Sequence, residues 1–289
     1  MATKTTTAHG KRAASRPRRR AASGKSSSLV YVYCIVQRAD APPLQRLDGL
    51  PDAGPARASS LGESRWLVLA DVPRSRFDEG ALAAGLQDLD WVGTCAVAHD
   101  ALIMEVMKSG PVLPMRLFTM FESEERACAQ ARAAADQIAR TLCRVANHAE
   151  YGVRIGATPA ARRARASSTG SGQASASGQH RPARGRSFLE QKRDQIAARR
   201  RPPTLPPAER RRVFERLSAL ADDARERAIP DSGSSVWLDG AFLVSLDSAP
   251  AFRREVQQLT DELQREGHDV VLTGPGPPYS FLDEHGVED

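Results

Sequence analysis

The chain has 289 residues, of which 41% are hydrophobic, and this length favours two domains over one large core. No segment approaches the roughly 18 consecutive apolar residues of a membrane-spanning helix, and the basic N-terminus lacks the apolar segment of a secretory signal. We therefore expect a cytoplasmic protein with no membrane association. The net charge of +6 is uneven, because eight basic residues and no acidic residue lie in residues 1–28. The remainder of the chain is close to neutral.

The cysteines and histidines favour neither metal binding nor redox chemistry. The four cysteines form no CxxC pair, and none of the six histidines stands at ligand spacing beside one of them. We expect buried, reduced thiols, no metal site and no cofactor. The four cysteines are Cys34, Cys95, Cys128 and Cys143.

Two arginine-rich segments are predicted to be disordered. Residues 1–28 form a basic arm with no apolar side chain larger than alanine apart from Met1, and residues 157–186 form a loop with six arginines and no acid. Residues 284–289 are a short tail. The basic arm and the loop could each be disordered segments that keep the protein soluble, or could bind nucleic acid. Without interleaved aromatic residues such binding would be weak and salt-sensitive. A nucleic-acid-associated or regulatory binding module acting through the arm is the alternative function.

The first predicted element is a central strand. Residues Leu29 to Val36 are β-branched or aromatic on both alternating faces, so both faces should be buried. A proline- and glycine-rich loop follows up to Pro55, and Trp66 to Ala70 form a second strand.

Helical periodicity begins at Asp78 and continues to Lys108, with Leu82, Leu86 and Leu89 at spacings of four and three. Gly93 is expected to divide this region into two helices. Val112 to Phe118 return to extended character, and Pro114 marks an edge or an irregular strand. Ser123 should then cap a helix of about seven turns that ends near His148.

The second half alternates strands and helices. Strands are predicted at Tyr151–Ile155, Ala241–Leu246 and Asp269–Thr273, and helices at Phe188–Arg199, at Ala208–Ile229 and after Ser248. This order suits helices on one face of an open sheet, as in ferredoxin-like folds. The predicted division is an α/β domain over residues 29–121 and a second domain over residues 122–283, which contains the loop.

Three blocks resemble the gas vesicle GvpL/GvpF family. They are YVYCIV at Tyr31–Val36, VLPMRLFTMF at Val112–Phe121 preceded by a helix with Trp91 and the His99–Asp100 pair, and LTGPGPPYSF at Leu272–Phe281. Their order and separation also match. Gly276 stands where the family usually has tryptophan, and Leu117–Phe118 replaces a Phe-Gly pair.

The resemblance implies a fold and a role. The fold is α+β with two domains, a modified ferredoxin-like sheet with helices at the N-terminus and a small ferredoxin-like sheet with long helices at the C-terminus. The role is non-enzymatic: binding the major gas vesicle shell protein and other accessory proteins during assembly, in the cytoplasm and at the gas vesicle. The partner-binding residues it implies are Pro114, Arg116, Thr119, Tyr279 and Phe281.

The same residues also have structural interpretations. Arg116 either forms an internal salt bridge or contacts a partner, and Tyr279 and Phe281 either clasp the protein body or form an exposed docking site. The prolines of the last block remove backbone donors, which argues against phosphate binding. His99 is expected on a helix surface, and no catalytic arrangement is predicted.

Overall fold

The computed structural model describes residues 27–45, 47–158, 205–229 and 236–282. All but the last two residues of the predicted arm, nearly all of the predicted loop, the predicted helix Phe188–Arg199 and the tail lie outside these ranges. None of the described helices combines the length and the hydrophobicity that spanning a bilayer requires.

The first half of the chain builds an antiparallel sheet around a strand that is buried on both faces. In chain order its elements are β1 (Ser28–Gln37), β2 (Arg57–Gly62), β3 (Arg65–Pro73), α1 (Arg74–Phe77), α2 (Glu79–Gly85), α3 (Leu89–Met107), β4 (Val112–Pro114), β5 (Met120–Phe121), α4 (Glu124–Ala133) and α5 (Ala135–Val145). The strand order is β2-β3-β1-β4, and β5 also pairs with β1. The predicted central strand and the predicted edge strand at Pro114 are confirmed.

This sheet has the strand order of a ferredoxin-like fold with one element missing. In that fold a helix connects the first strand to the second, whereas here the described residues of the connection, 38–45 and 47–56, contain no helix. The helices between β3 and β4 supply the second crossover. The first sheet is therefore a modified ferredoxin-like sheet, as the family resemblance implied.

Helices cover both faces of the first sheet. Tyr31 and Tyr33 of β1 pack towards α3, and Val30 and Val32 pack towards α4 and α5. The α3 side of the core includes Cys95, Leu102, Ile103 and Val106. The opposite side includes Ala127, Cys128, Ala131, Ile138 and Leu142.

Two predicted helix boundaries were wrong. Gly93 lies within α3, and the division falls at residues 86–88, where the Asp88 carboxylate caps α3 by accepting from the backbone N–H groups of Asp90 and Trp91 at 3.1 Å. The long helix after Ser123 is capped as predicted, but it breaks at Ala134 and ends at Val145. The Arg65 guanidinium donates to the Ala135 carbonyl at this break, at 2.7 Å.

The second half forms a complete ferredoxin-like unit. Its elements are β6 (His148–Ala157), α6 (Pro207–Ser218), β7 (Asp223–Glu226), β8 (Val236–Ser245), α7 (Ala249–Arg265), β9 (His268–Gly276) and a 3-10 turn (Tyr279–Phe281). The antiparallel strand order is β7-β8-β6-β9, and α6 and α7 pack on one face. The predicted inward side of α7 is confirmed by the buried residues Phe252, Val256, Leu259 and Leu263. The predicted helix Ala208–Ile229 is half wrong, since it ends at Ser218 and the chain then forms the edge strand β7.

The packing of α4 and α5 bears on the division into domains. Residues 124–145 were assigned to the second domain from the sequence, but their apolar side chains pack on the first sheet. We therefore propose that the division falls at about residue 147, where the chain passes from α5 into β6.

This division predicts where a core mutation acts. Leu142 is fully buried against the first sheet, so Leu142→Ala should lower the free energy of unfolding by about 2–5 kcal/mol. Hydrogen exchange monitored by mass spectrometry should become faster in β1 and β3 before it does so in β6 and β8.

Phe252→Ala is the matched control, because Phe252 is equally buried in the second core and should give the reverse pattern. Faster exchange in β6 and β8 on Leu142→Ala would contradict the proposed division.

Candidate functional site

The residues of the VLPMRLFTMF block form a turn fixed to β1 at both ends. The Met115 N–H donates to the Tyr33 carbonyl at 2.8 Å, and the Val32 N–H donates to the Thr119 carbonyl at 3.0 Å. Between these anchors, Thr119 donates to the Arg116 carbonyl from both its N–H (3.2 Å) and its hydroxyl (2.8 Å). We call residues 115–119 the presenting turn, because Arg116 is exposed at its start.

The buried imidazole of His99 hydrogen-bonds to the backbone of the presenting turn. It is only 2% exposed, and its Nε2 lies 3.1 Å from the Met115 carbonyl. A carbonyl can only accept, so Nε2 carries the proton and Nδ1 accepts from the Tyr31 hydroxyl at 2.7 Å. The Tyr31 oxygen in turn accepts from the Phe118 N–H at 3.3 Å. One hydrogen-bonded chain therefore fixes the backbone on both sides of Arg116.

Burial determines the protonation states of His99 and Tyr31. Burial lowers the pKa of His99 and raises the pKa of Tyr31, so both groups are neutral near pH 7. The expectation that His99 lies on the helix surface was wrong. Its position on α3 faces the two tyrosines of β1, whose hydroxyls need partners in the core.

The presenting turn packs on an aromatic side chain at the start of α3. Phe118 has a positive φ of 67°, and its ring stacks on Trp91 with centroids 5.4 Å apart. Trp91 lies against Gly85, where a Cβ would come within 2.7 Å of the indole ring. Leu86 and Leu89, whose spacing predicted a helix, are 46% and 79% exposed. The leucine periodicity therefore indicated the helical region correctly but not which side is buried.

The C-terminal block forms a strap between the two halves of the protein. The Tyr279 hydroxyl donates to Asp100 Oδ1 of α3 at 2.6 Å, and its ring stacks at 6.4 Å from that of His99. Phe281 is fully buried against Ala241 and Leu243 of the second sheet. This supports the clasp interpretation of the two aromatic residues over an exposed docking site.

A buried carboxylate fixes the middle of the strap. Glu150 of β6 accepts from the N–H and the hydroxyl of Ser280, both at 2.7 Å, and from Arg227 at 2.6 Å. Arg144 of α5 donates to the Phe281 carbonyl. The strap therefore bonds to α3 and α5 on one side and to β6 on the other.

The structure separates the five predicted partner-binding residues. Arg116 is exposed and Thr119 is half-buried in the presenting turn, while Pro114 is buried in β4. Tyr279 reaches the same network through His99, whereas Phe281 lies in the second sheet. Whether any of them contacts a partner stays a prediction. Sequence reasoning missed Glu150 and the links from Tyr31 and Asp100; the one usable signal was the pair of tyrosine hydroxyls on a buried strand.

The remaining reactive groups form no further site in the part of the chain that the structure describes. Cys34, Cys95 and Cys128 are buried as predicted, but Cys143 is exposed, because it lies on the outer side of α5. Within the described ranges, no group of three or more His, Cys, Asp or Glu residues could hold a metal ion.

The His99 network predicts a pH-dependent contribution to stability. Above the ordinary histidine pKa of about 6.5 the ring is neutral in both the folded and the unfolded state. Below it the unfolded chain binds a proton that the folded chain does not, so the wild-type protein loses stability as the pH falls. His99→Gln should cost about 1–3 kcal/mol at pH 7.5, and the gap to wild type should narrow towards pH 5.

Urea unfolding of both proteins at several pH values measures this gap. The difference between the two plots of unfolding free energy against pH gives the contribution of His99 alone. His268, whose pKa is also lowered by burial, contributes equally to both plots and cancels. Parallel profiles would show that His99 does not titrate between the folded and unfolded states as described.

Comparison with known proteins places the chain in a family. The family model described as gas vesicle synthesis protein GvpL/GvpF matches residues 29–283. Gas vesicle protein L of Streptomyces sp. (strain CB03234) is 30% identical over 261 residues, covering 88% of this chain and 92% of the relative.

Two crystal structures share the fold. The gas vesicle protein GvpF from Anabaena sp. PCC7120 superposes with a TM-score of 0.58 at 17% identity, over 90% of this chain and 98% of that one. GvpF from Microcystis aeruginosa superposes with a TM-score of 0.57 at 14% identity, over 88% of this chain and 99% of that one. The chain belongs to the gas vesicle GvpL/GvpF family.

Proposed function

We propose that this protein is a non-enzymatic accessory factor that binds the major gas vesicle shell protein, and other accessory proteins, during nucleation and assembly. Family membership supports the gas vesicle role. The observation that carries the binding proposal is the presenting turn, where an exposed arginine is held on a backbone that the buried His99 network fixes. A rigid turn loses little conformational entropy when it binds a partner.

The surface beside the turn suits an apolar partner. A strongly hydrophobic shell subunit needs complementary apolar surface before it polymerises. Leu86 and Leu89 are exposed and lie close in sequence to Trp91, which stacks on Phe118 of the turn, and Arg116 is exposed two residues before Phe118. Aromatic residues and arginine are the types that dominate binding energy at protein interfaces.

The five predicted residues then have different parts in the proposal. Arg116 and Thr119 form the contact surface. Pro114 supports it from β4, and Tyr279 and Phe281 act through the strap, since the first borders His99 and the second is buried.

Two further observations favour binding over catalysis. Both ring nitrogens of His99 are occupied by hydrogen bonds within the protein, so the imidazole is not available as a base. The nearby Cys95 thiol is buried and its pKa is raised, which disfavours a nucleophilic thiolate.

Replacing the exposed arginine tests the proposal. Arg116→Ala should weaken capture of the major shell protein of the same organism by about tenfold, which corresponds to an interface contact of roughly 1.4 kcal/mol. Co-expression with a tagged shell protein, followed by quantitative pull-down, measures capture. Thermal unfolding should show a change within about 0.5 kcal/mol, as expected for a surface substitution.

Arg253→Ala is the matched control, because Arg253 is an exposed arginine on α7 of the second unit. Capture by Arg116→Ala equal to that by Arg253→Ala, at unchanged stability, would overturn the role of the presenting turn.

Removal of the basic arm separates the proposal from the nucleic-acid alternative. Deleting residues 1–28 removes eight basic groups and leaves the presenting turn in place, so shell-protein capture should stay within twofold of wild type. Loss of capture on deletion would favour the binding module that acts through the arm. Filter binding of nucleic acid at low and moderate salt gives the complementary measurement.

A further inference from the structure

The side of α3 that faces away from the first sheet exposes two large apolar residues beside the exposed Asp90, Thr94, Asp100 and Glu105, although a surface helix normally exposes mainly polar residues there. Leu89 and Val97 are 79% and 71% exposed, whereas Cys95, Leu102 and Val106 form the buried side of the helix. The residues between Asp90 and Asp100 include no charged side chain apart from the buried, neutral His99. We call this surface the outward face; its residues are Leu89, Gly93, Val97, Ala101 and Met104.

The spacing of these residues suits the packing of another helix. Leu89, Gly93, Val97 and Ala101 recur every four residues, so they form a single row along α3. A Cβ built on Gly93 would meet no atom within 4 Å, so the row has a low point between two exposed side chains. A ridge of side chains on a second helix fits such a depression. From Leu89 to Met104 the face is about 22 Å long, which matches a partner helix of about 15 residues.

The charges around the outward face select the partner. All charged residues within α3 are acidic, namely Asp90, Asp100 and Glu105, and the N-cap Asp88 is also acidic. Lys108 follows the helix and pairs with Glu105. Arg76 lies over the Trp91 ring and pairs with Asp52 at 3.4 Å. Asp90 and Asp100 therefore give the rim of the face a negative potential.

This rim disfavours a second copy of the chain as the occupant. Two α3 helices packed antiparallel through their outward faces would place Asp90 of each copy near the acidic residues at the other end of its partner. Juxtaposed like charges weaken such a contact. A helix whose apolar stripe is bordered by basic residues would gain from the same rim.

We propose that the outward face of α3 binds an amphipathic helix of another protein, whose apolar stripe is bordered by lysine or arginine. This goes beyond the proposed function, because the outward face shares only Leu89 with the apolar surface considered there and because the proposal specifies the chemistry of the bound segment. It holds whether or not the turn binds the shell protein.

Synthetic peptides test the proposal on the full-length protein. The probes are an 18-residue helical peptide with a leucine and alanine stripe flanked by lysines, the same stripe flanked by glutamates, and a scrambled version of the lysine peptide. Fluorescence anisotropy should show binding of the lysine-flanked helix at least tenfold tighter than binding of the other two. Val97→Gln and Asp90→Asn should each weaken it, by about tenfold and about threefold, since one removes apolar contact and the other rim charge.

Val271→Gln is the control variant, because Val271 is a half-exposed valine on β9 of the second unit and should leave the affinity unchanged. Equal binding of the lysine- and glutamate-flanked helices, or unchanged affinity in Val97→Gln, would overturn the proposal. Sedimentation analysis that shows a dimer dissociated by Val97→Gln would also overturn it by making a second copy the occupant. Shell-protein capture by Arg116→Ala reports on the turn alone, so failure of one proposal is distinguishable from failure of the other.

Discussion

The buried imidazole of His99 joins the parts of this protein that the sequence keeps far apart. Through its two ring nitrogens it connects β1, α3 and the presenting turn, and its ring borders the strap that comes from the C-terminus. A neutral imidazole can donate one hydrogen bond and accept one, and here each ring nitrogen has one partner. If either partner were lost, a buried polar group would be left unsatisfied at a cost of about 1–3 kcal/mol. This cost disfavours other conformations of the turn.

The two sheets share a strand order but differ in what covers them. The first has helices on both faces, and its central strand is consequently apolar on both of its faces. The second has helices on one face, and the opposite face contains the charged network of Glu150, Arg154, Arg227 and Asp239, with Phe281 of the strap buried on Ala241 and Leu243. The strap therefore covers apolar surface that a two-layer ferredoxin-like unit would otherwise expose. Its bonds to Asp100 and Glu150 connect this cover to both units.

The sequence predicted elements well where one periodicity dominated. Both faces of β1 are apolar over eight residues, and α7 has a clear apolar stripe, so both elements were placed correctly. The prediction failed where a local contact decided the outcome. Residues 208–229 have continuous helical periodicity, yet the backbone after Ser218 turns into β7 to pair with β8, because an edge strand gains hydrogen bonds that periodicity does not report. In the same way, the side-chain cap at Asp88 sets the boundary between α2 and α3, although the low helix propensity of glycine favoured a boundary at Gly93.

The candidate site was only half accessible to sequence reasoning, because its geometry depends on contacts between distant positions. The exposed start of the turn lies in a recognisable block, and family resemblance pointed to Arg116 and Thr119 directly. The support beneath it joins residues separated by 68 positions in the case of Tyr31 and His99, and by 179 positions in the case of Asp100 and Tyr279. Neither pair has a local sequence signature. A polar residue on the buried side of a strand nevertheless requires a partner, so Tyr31 and Tyr33 on a strand with two buried faces were a usable signal, whereas His99 was expected on a helix surface. The outward face of α3 is the converse case, since Leu89 and Val97 do not reach the core of the described residues and the helix proposed for that face would cover them.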